Sequence, residues 1–167
     1  LMIANLPDDL RGRRDKAIMQ VLWSTGLRIS ELLALRRKDF DRSNPSKTIE
    51  LAIVGKGQVQ RCVYVSPVAI KAVLRYFAGR SDDEERAFCV SKRGLQKLIK
   101  VRAIETGMEK PLSVHTMRHS FACHLLKSGT SIYYVQQFLG HKNLSTTSVY
   151  LHATNKELRD IHEKMIK

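Results

Sequence analysis

Apolar residues return along this chain with two different periods, and the residues between the runs mark where elements start and stop. In "RDKAIMQVLWSTG", Ile18, Val21 and Leu22 fall at helical spacing. The run closes on Gly26, a residue that accepts the left-handed conformation at a helix end. "LRISELLALRRKDF" predicts a second helix, with Ser30 as N-cap and Leu32, Leu33 and Leu35 as its apolar side. The period then drops to two: "TIELAIV" and "VQRCVYV" are β-branched, roughly alternating runs joined by "GKGQ", which predicts a hairpin with Lys56 at its tip. From Ser66, "SPVAIKAVLRYFAG" carries proline in a first turn and glycine at its end. The acidic "SDDEE" reads as a surface connection, and "GLQKLIKVRAIETG" sets Leu95, Leu98, Ile99 and either Val101 or Arg102 along a further helix. After Pro111 come three helical stretches: "VHTMRHSFACHLL", "SIYYVQQFLG", and "STTSVYLH" with Ser145 as N-cap and a Leu144 to Val149 staple. "TNKELRDIHEKMIK" adds a capping box of Thr154 and Glu157 and an apolar stripe of Leu158, Ile161 and Met165. The expected fold class is α+β, mostly α-helical with a small antiparallel β-sheet and no internal repeat.

Composition makes this one globular unit with a polyanionic partner. The chain has 167 residues, 43% of them hydrophobic, enough for a single core. Lysine and arginine number 29 against 16 acidic residues, a net charge of +13, which favours nucleic acid. Cys62, Cys89 and Cys123 are odd in number, far apart and without a CxxC pair, which argues against a disulfide framework and a thiolate zinc site. No apolar run approaches the roughly 20 residues that cross a bilayer. The start "LMIANLPDDLRGRRD" lacks signal-peptide order. We therefore expect a cytoplasmic, nucleoid-associated protein without membrane contact.

The densest chemistry lies in "VHTMRHSFACHLL". At 100° per residue, His115, Arg118 and His119 share one sector of the helix, whereas Met117, Phe121 and Leu125 form a stripe that can face a core. Zinc is disfavoured: His115 and His119 have the i, i+4 spacing, but the catalytic glutamate of an HExxH helix is absent and Arg118 would repel the cation. Satisfied core histidines beside a surface arginine, or a phosphate site, both remain open on these residues alone. The "GKG" of the hairpin is not a Walker loop, because no glycine precedes it at the required interval and no Ser or Thr follows.

Taken together, "TGLRISELLAL", "GKGQVQR", "HTMRHSFACHLL" and "FLGHKNLSTTSVY" resemble, in order and spacing, the catalytic domain of the tyrosine recombinases. That family includes phage integrases, integron integrases and the enzymes that resolve bacterial chromosome dimers. The resemblance runs from about Asp15 to His152, and Tyr150 stands nine positions after His141 of "LGH", where the family keeps its nucleophile. Two departures concern packing: "RCVYVS" stands where a valine-proline pair is common, and methionine precedes Arg118 where leucine is usual.

The resemblance implies a site-specific recombinase that cleaves and rejoins double-stranded DNA through a covalent 3′-phosphotyrosine, using no metal, ATP or cofactor. It assigns catalytic roles to Arg28, Lys56, His115, Arg118, His141 and Tyr150, with Glu31 orienting Arg28. Arg28 and Arg118 suit that chemistry because displacement at a phosphodiester builds charge on non-bridging oxygens, and a guanidinium matches phosphate bidentately. Lys56 would be the general acid for the departing 5′ oxygen and Tyr150 the nucleophile. Arg61 and Lys142 are the expected DNA contacts. The other histidines, His119, His124, His152 and His162, are read as structural or surface residues, and Tyr64, Tyr76 and Tyr133 as packed aromatics. Residues 1–14 are expected to be a linker remnant, 15–153 the catalytic domain, and 154–167 a tail helix that either docks on a neighbouring subunit or folds back on its own core; the full-length protein is expected as a tetramer on two DNA sites, with accessory recombinase or directionality factors as further partners. Two rival readings are a DNA-binding regulator that keeps the fold without the chemistry, and a type IB topoisomerase-like enzyme.

Overall fold

The first apolar run becomes the centre of the fold. The computed structural model describes residues 6–41, 44–55, 60–105, 107–108 and 112–140. Helix α1 spans Leu10–Thr25, started by the Asp9 carboxylate, which accepts the Gly12 N–H at 2.6 Å, and ended by Gly26 at φ 61°. Its buried side, Ala17, Ile18, Val21 and Leu22, packs against α3 (Pro67–Ala78), α5 (Val114–Lys127) and strand β2 (Gln60–Val65). One helix thus collects the elements on which the charged residues stand.

The expected helix from "LRISELLALRRKDF" is shorter and starts earlier. Helix α2 covers Ile29–Ala34 with Arg28 as its N-cap, not Ser30, because the Glu31 carboxylate accepts the Arg28 backbone N–H at 2.8 Å. It stops where Leu35 turns extended and its carbonyl accepts the Ala87 N–H at 2.8 Å. A 3-10 turn, Arg37–Phe40, follows. Pairing with the 85–87 segment replaces the helical hydrogen bonds that the sequence pattern suggests.

Strand β1 (Ile49–Val54) pairs antiparallel with β2 in the register Leu51 to Val63 and Ile53 to Arg61. Leu51, Ile53, Val63 and Val65 point into the core, and Arg61 belongs to the same alternating face as Val63 and Val65. Helix α3 has the expected proline in its first turn, and the Ser66 hydroxyl caps it by accepting the Ala69 N–H at 3.3 Å. Helix α4, Lys92–Glu105, buries Leu95, Leu98, Ile99 and Ala103. Of the two alternatives on α4, Arg102 turns inward and Val101 stays 39% exposed. Tyr76 is a packed aromatic as expected, but Tyr64 and Tyr133 are 44% and 56% exposed, because β2 and α6 (Ile132–Leu139) each turn that position outward.

A buried ion pair explains the inward turn of Arg102. Asp15 is 2% exposed, and its carboxylate receives Arg102 at 2.8 and 3.1 Å and Arg14 at 2.9 Å, tying α1 to α4. Arg80 organises the next loop: its guanidinium bonds Asp82 and the carbonyls of Arg86 and Ala87 at 2.9 and 3.1 Å, so "SDDEE" has an anchor as well as a solvated side. Among the described residues, no helix is long and apolar enough to cross a membrane. The predicted "STTSVYLH" helix and the 154–167 tail lie outside the described residues, as does the hairpin tip 56–59. Without Asp15, Arg102 keeps Glu105 at 2.7 Å but the charged hydrogen bonds across α1 and α4 are lost, so Asp15→Ala is expected to lower stability by about 2 kcal/mol. Urea unfolding of the two proteins checks this; a loss near zero would mean that the pair does not hold α1 to α4.

Candidate phosphate site

The carboxyl end of α6 gathers the basic residues. The last carbonyls of a helix have no N–H ahead of them and carry the negative end of its dipole. Here three successive carbonyls each accept from a different arginine: Phe138 from Arg61 Nε at 3.1 Å, Leu139 from Arg118 Nη2 at 2.5 Å, and Gly140 from Arg28 Nη2 at 3.5 Å. The three donors come from β2, from α5 and from the turn between α1 and α2. Residues far apart in the sequence are thereby brought to one helix end.

Local structure places each donor. Thr25, buried at the end of α1, donates its hydroxyl to the Val21 carbonyl at 2.6 Å and accepts the Leu27 N–H at 3.3 Å, which sets the turn before Arg28. Gly26 must be glycine: besides its left-handed backbone, an added Cβ would come within 2.5 Å of the Phe121 ring of α5. That close approach lets Arg118 reach the Gly26 carbonyl at 2.6 Å. Gly140, at φ 63°, lies against the stem of Arg61, whose Cδ would sit 2.7 Å from an added Cβ.

Glu31 lies beneath two of these arginines. Its Oε1 accepts from Arg61 Nη1 at 2.7 Å and Arg28 Nη1 at 3.0 Å, and its Oε2 from Arg61 Nη2 at 2.8 Å and the Arg28 backbone N–H at 2.8 Å. The carboxylate side chain is 3% exposed, Arg61 is 7% exposed and Arg28 36%. Burial works to raise the Glu31 pKa, but the Arg61 guanidinium, the Arg28 backbone N–H and the Arg28 guanidinium together hold it down to about 2.

The sequence-derived set therefore divides. Arg28, Glu31, Arg61 and Arg118 meet at one place. His115 stands exposed on α5, one turn before Arg118. His119 is exposed as well, whereas Arg118 is buried, so the three residues expected in one sector do not share one environment: Arg118 is drawn inward by carbonyls of α6 and of Gly26. Arg61, expected to face DNA, instead directs its guanidinium into the fold, onto Glu31 and Phe138. Its position in the alternation with Val63 and Val65 was the signal for that inward direction. Lys56, His141, Lys142 and Tyr150 lie outside the described residues. Chemically, the cluster holds three permanent cations and one carboxylate that pairs with two of them, which leaves an excess of positive charge suited to an anion.

The depressed Glu31 pKa makes a signed prediction. A carboxyl with a pKa of about 2 in the fold and an ordinary value of 4.5 stabilises fully above about 4.5 and loses that contribution as pH falls toward 2. The full contribution is roughly 3 kcal/mol. Urea unfolding across that window should show wild type more stable than Glu31→Gln at neutral pH, with the gap narrowing as acid is added; a gap independent of pH would contradict the assignment.

The chain is similar to known proteins over most of its length. Residues 2–157 match the phage integrase family. The tyrosine recombinase XerD of Halalkalibacterium halodurans is 35% identical over 161 residues, covering 89% of this chain and 52% of that protein. This chain thus spans about half the length of such relatives. Among solved structures, a XerA recombinase superposes with a TM-score of 0.73 at 29% identity, over 93% of this chain and 59% of its own. The XerH site-specific recombinase, in a pre-cleavage complex with its difH substrate, superposes with a TM-score of 0.73 at 26% identity, over 95% of this chain and 48% of its own. The mostly helical fold with a two-stranded sheet is that of the tyrosine recombinase catalytic domain, and the chain belongs to the phage integrase family.

Proposed function

We propose that this chain is the catalytic domain of a site-specific DNA recombinase that breaks and rejoins strands through Tyr150. The observation that carries the reading is the meeting of Arg28 and Arg118 on adjacent carbonyls, Gly140 and Leu139, immediately before His141. Two guanidiniums at one point can neutralise the charge that grows on the non-bridging oxygens of a phosphodiester under attack. The positive charge is supplied by side chains, so the proposed chemistry calls on neither metal nor nucleotide cofactor.

In the proposed step, the Tyr150 oxygen bonds to phosphorus, the bond from phosphorus to the 5′ oxygen breaks, and the strand is held as a 3′-phosphotyrosine. The phenol proton passes to a base, for which His115 or His141 is suited, and Lys56 gives a proton to the departing 5′ oxygen. Reversal by a 5′ hydroxyl restores a phosphodiester, so the broken linkage's energy is kept. Double-stranded DNA is the proposed substrate. The XerH complex with its substrate and the net charge of +13 support it. For the full-length protein we propose a tetramer on two sites, with residues 154–167 docking on the neighbouring subunit. A regulator without chemistry is not favoured, since family members similar to this chain are recombinases.

A duplex nicked close to the cleavage point, so that the released fragment diffuses away, tests the chemistry. The wild-type protein should accumulate a covalent adduct with DNA, and Tyr150→Phe should form none while still binding. An undiminished adduct in Tyr150→Phe, or none from either protein at saturating DNA, would overturn the proposal. Relaxation of supercoiled plasmid lacking any target site would favour a topoisomerase instead. For assembly, sedimentation on DNA should show that deleting residues 154–167 lowers the oligomeric state; an unchanged state would reject the docking role.

A further inference from the structure

Glu31 poses a problem for a phosphate site: a carboxylate beside the arginine that is to receive an anion repels that anion. We propose that Arg61 is a positioning residue that serves as the buried counterion of Glu31, leaving the charge of the neighbouring Arg28 available to a scissile phosphate. This inference rests on the reading of Arg28 as a phosphate ligand. Three features of the geometry support it.

First, the two arginines share Glu31 unequally. Arg61 makes the bidentate pair, at 2.7 and 2.8 Å, whereas Arg28 places one guanidinium nitrogen on it at 3.0 Å. A fork meeting both carboxylate oxygens is the stronger arrangement. Second, burial separates the two: the Arg61 side chain is 7% exposed and that of Arg28 36%, so of this pair Arg28 is the one open to a ligand arriving from solvent. Third, Arg61 has no nitrogen uncommitted. Its Nε bonds the Phe138 carbonyl at 3.1 Å and both Nη atoms bond Glu31. Gly140 makes room for its stem, since a Cβ there would lie 2.7 Å from Arg61 Cδ. The same guanidinium therefore fixes β2 against the carboxyl end of α6, where Arg28 and Arg118 also bond. Lysine at position 61 would keep the charge but could not span both oxygens and the carbonyl.

The test reads cleavage at saturating DNA on two substrates, one with an ordinary scissile phosphate and one with a methylphosphonate, in which a methyl group replaces a charged non-bridging oxygen. Arg61→Lys should cut the ordinary substrate slower by on the order of tenfold, with DNA affinity unchanged, and the deficit should shrink on the methylphosphonate, where less charge needs compensation. An equal deficit on both substrates would mean that Arg61 only supports the fold, and overturns the proposal. Arg28→Ala serves as the reference. If its own deficit does not shrink on the methylphosphonate, the phosphate-ligand reading of Arg28 fails; if it shrinks and that of Arg61→Lys does not, only the role of Arg61 fails.

A double-mutant cycle covers the case in which the single variant folds poorly. Arg61→Gln should cost on the order of tenfold when Glu31 is present but less than about twofold in a Glu31→Gln background, where no carboxylate remains to be neutralised. A tenfold loss in the Glu31→Gln background contradicts the proposal, and that comparison avoids any protein carrying an unpaired buried carboxylate.

Discussion

The carboxyl end of α6 needs hydrogen-bond donors, and meeting that need with arginines organises the site. A helix that ends inside a protein leaves its last carbonyls without partners, and burying them unpaired is costly. Here Phe138, Leu139 and Gly140 are satisfied by Arg61, Arg118 and Arg28, so one local requirement joins β2, α5 and the α1 to α2 turn at a single point. The core makes this possible by packing α1 against α5 closely enough for Gly26 to touch Phe121. The arginines are thus held in place before any ligand arrives, which is the condition for electrostatic catalysis.

Placing three guanidiniums together raises a second requirement, that they tolerate one another. Glu31 answers it, accepting from both Arg28 and Arg61 while capping α2 through the Arg28 N–H. One residue therefore links helix initiation, charge balance and the orientation of Arg28. The low pKa of Glu31 is the titration signature of that position: the carboxylate stays charged because its neighbours are charged. Asp15 with Arg102 and Arg14 repeats the device at a distance, there as a structural tie between α1 and α4.

Local features of the sequence announced most of the elements. The Gly26 stop, the first-turn Pro67, the change of period at the hairpin and the glycine that closes "SIYYVQQFLG" all correspond to boundaries in the structure, because helix stops and periodicity are properties of neighbouring residues. Arg28 as the cap of α2, the break at Leu35 and the burial of Arg118 were not legible. Each depends on a partner that carries no residue identity or lies far along the chain: backbone carbonyls of Gly26 and Leu139, or the Ala87 N–H. Tyr133 followed the same logic in reverse, since an aromatic on a short amphipathic helix faces inward or outward according to what packs there. Arg61 lay between the two cases; its place in the alternating strand was visible, its pairing with Glu31 was not.

Convergence of Arg28 and Arg118 on one phosphate, with Arg61 still on Glu31, is what the proposed chemistry requires. Its most direct test is a structure of the protein on nicked duplex DNA with vanadate in place of the scissile phosphate. Vanadate oxygens should lie within hydrogen-bond distance of both the Arg28 and Arg118 guanidiniums, with the Tyr150 oxygen at an apex and Arg61 still paired with Glu31 and Phe138. Vanadate bound away from either guanidinium, or Arg61 swung out onto the DNA, would contradict it.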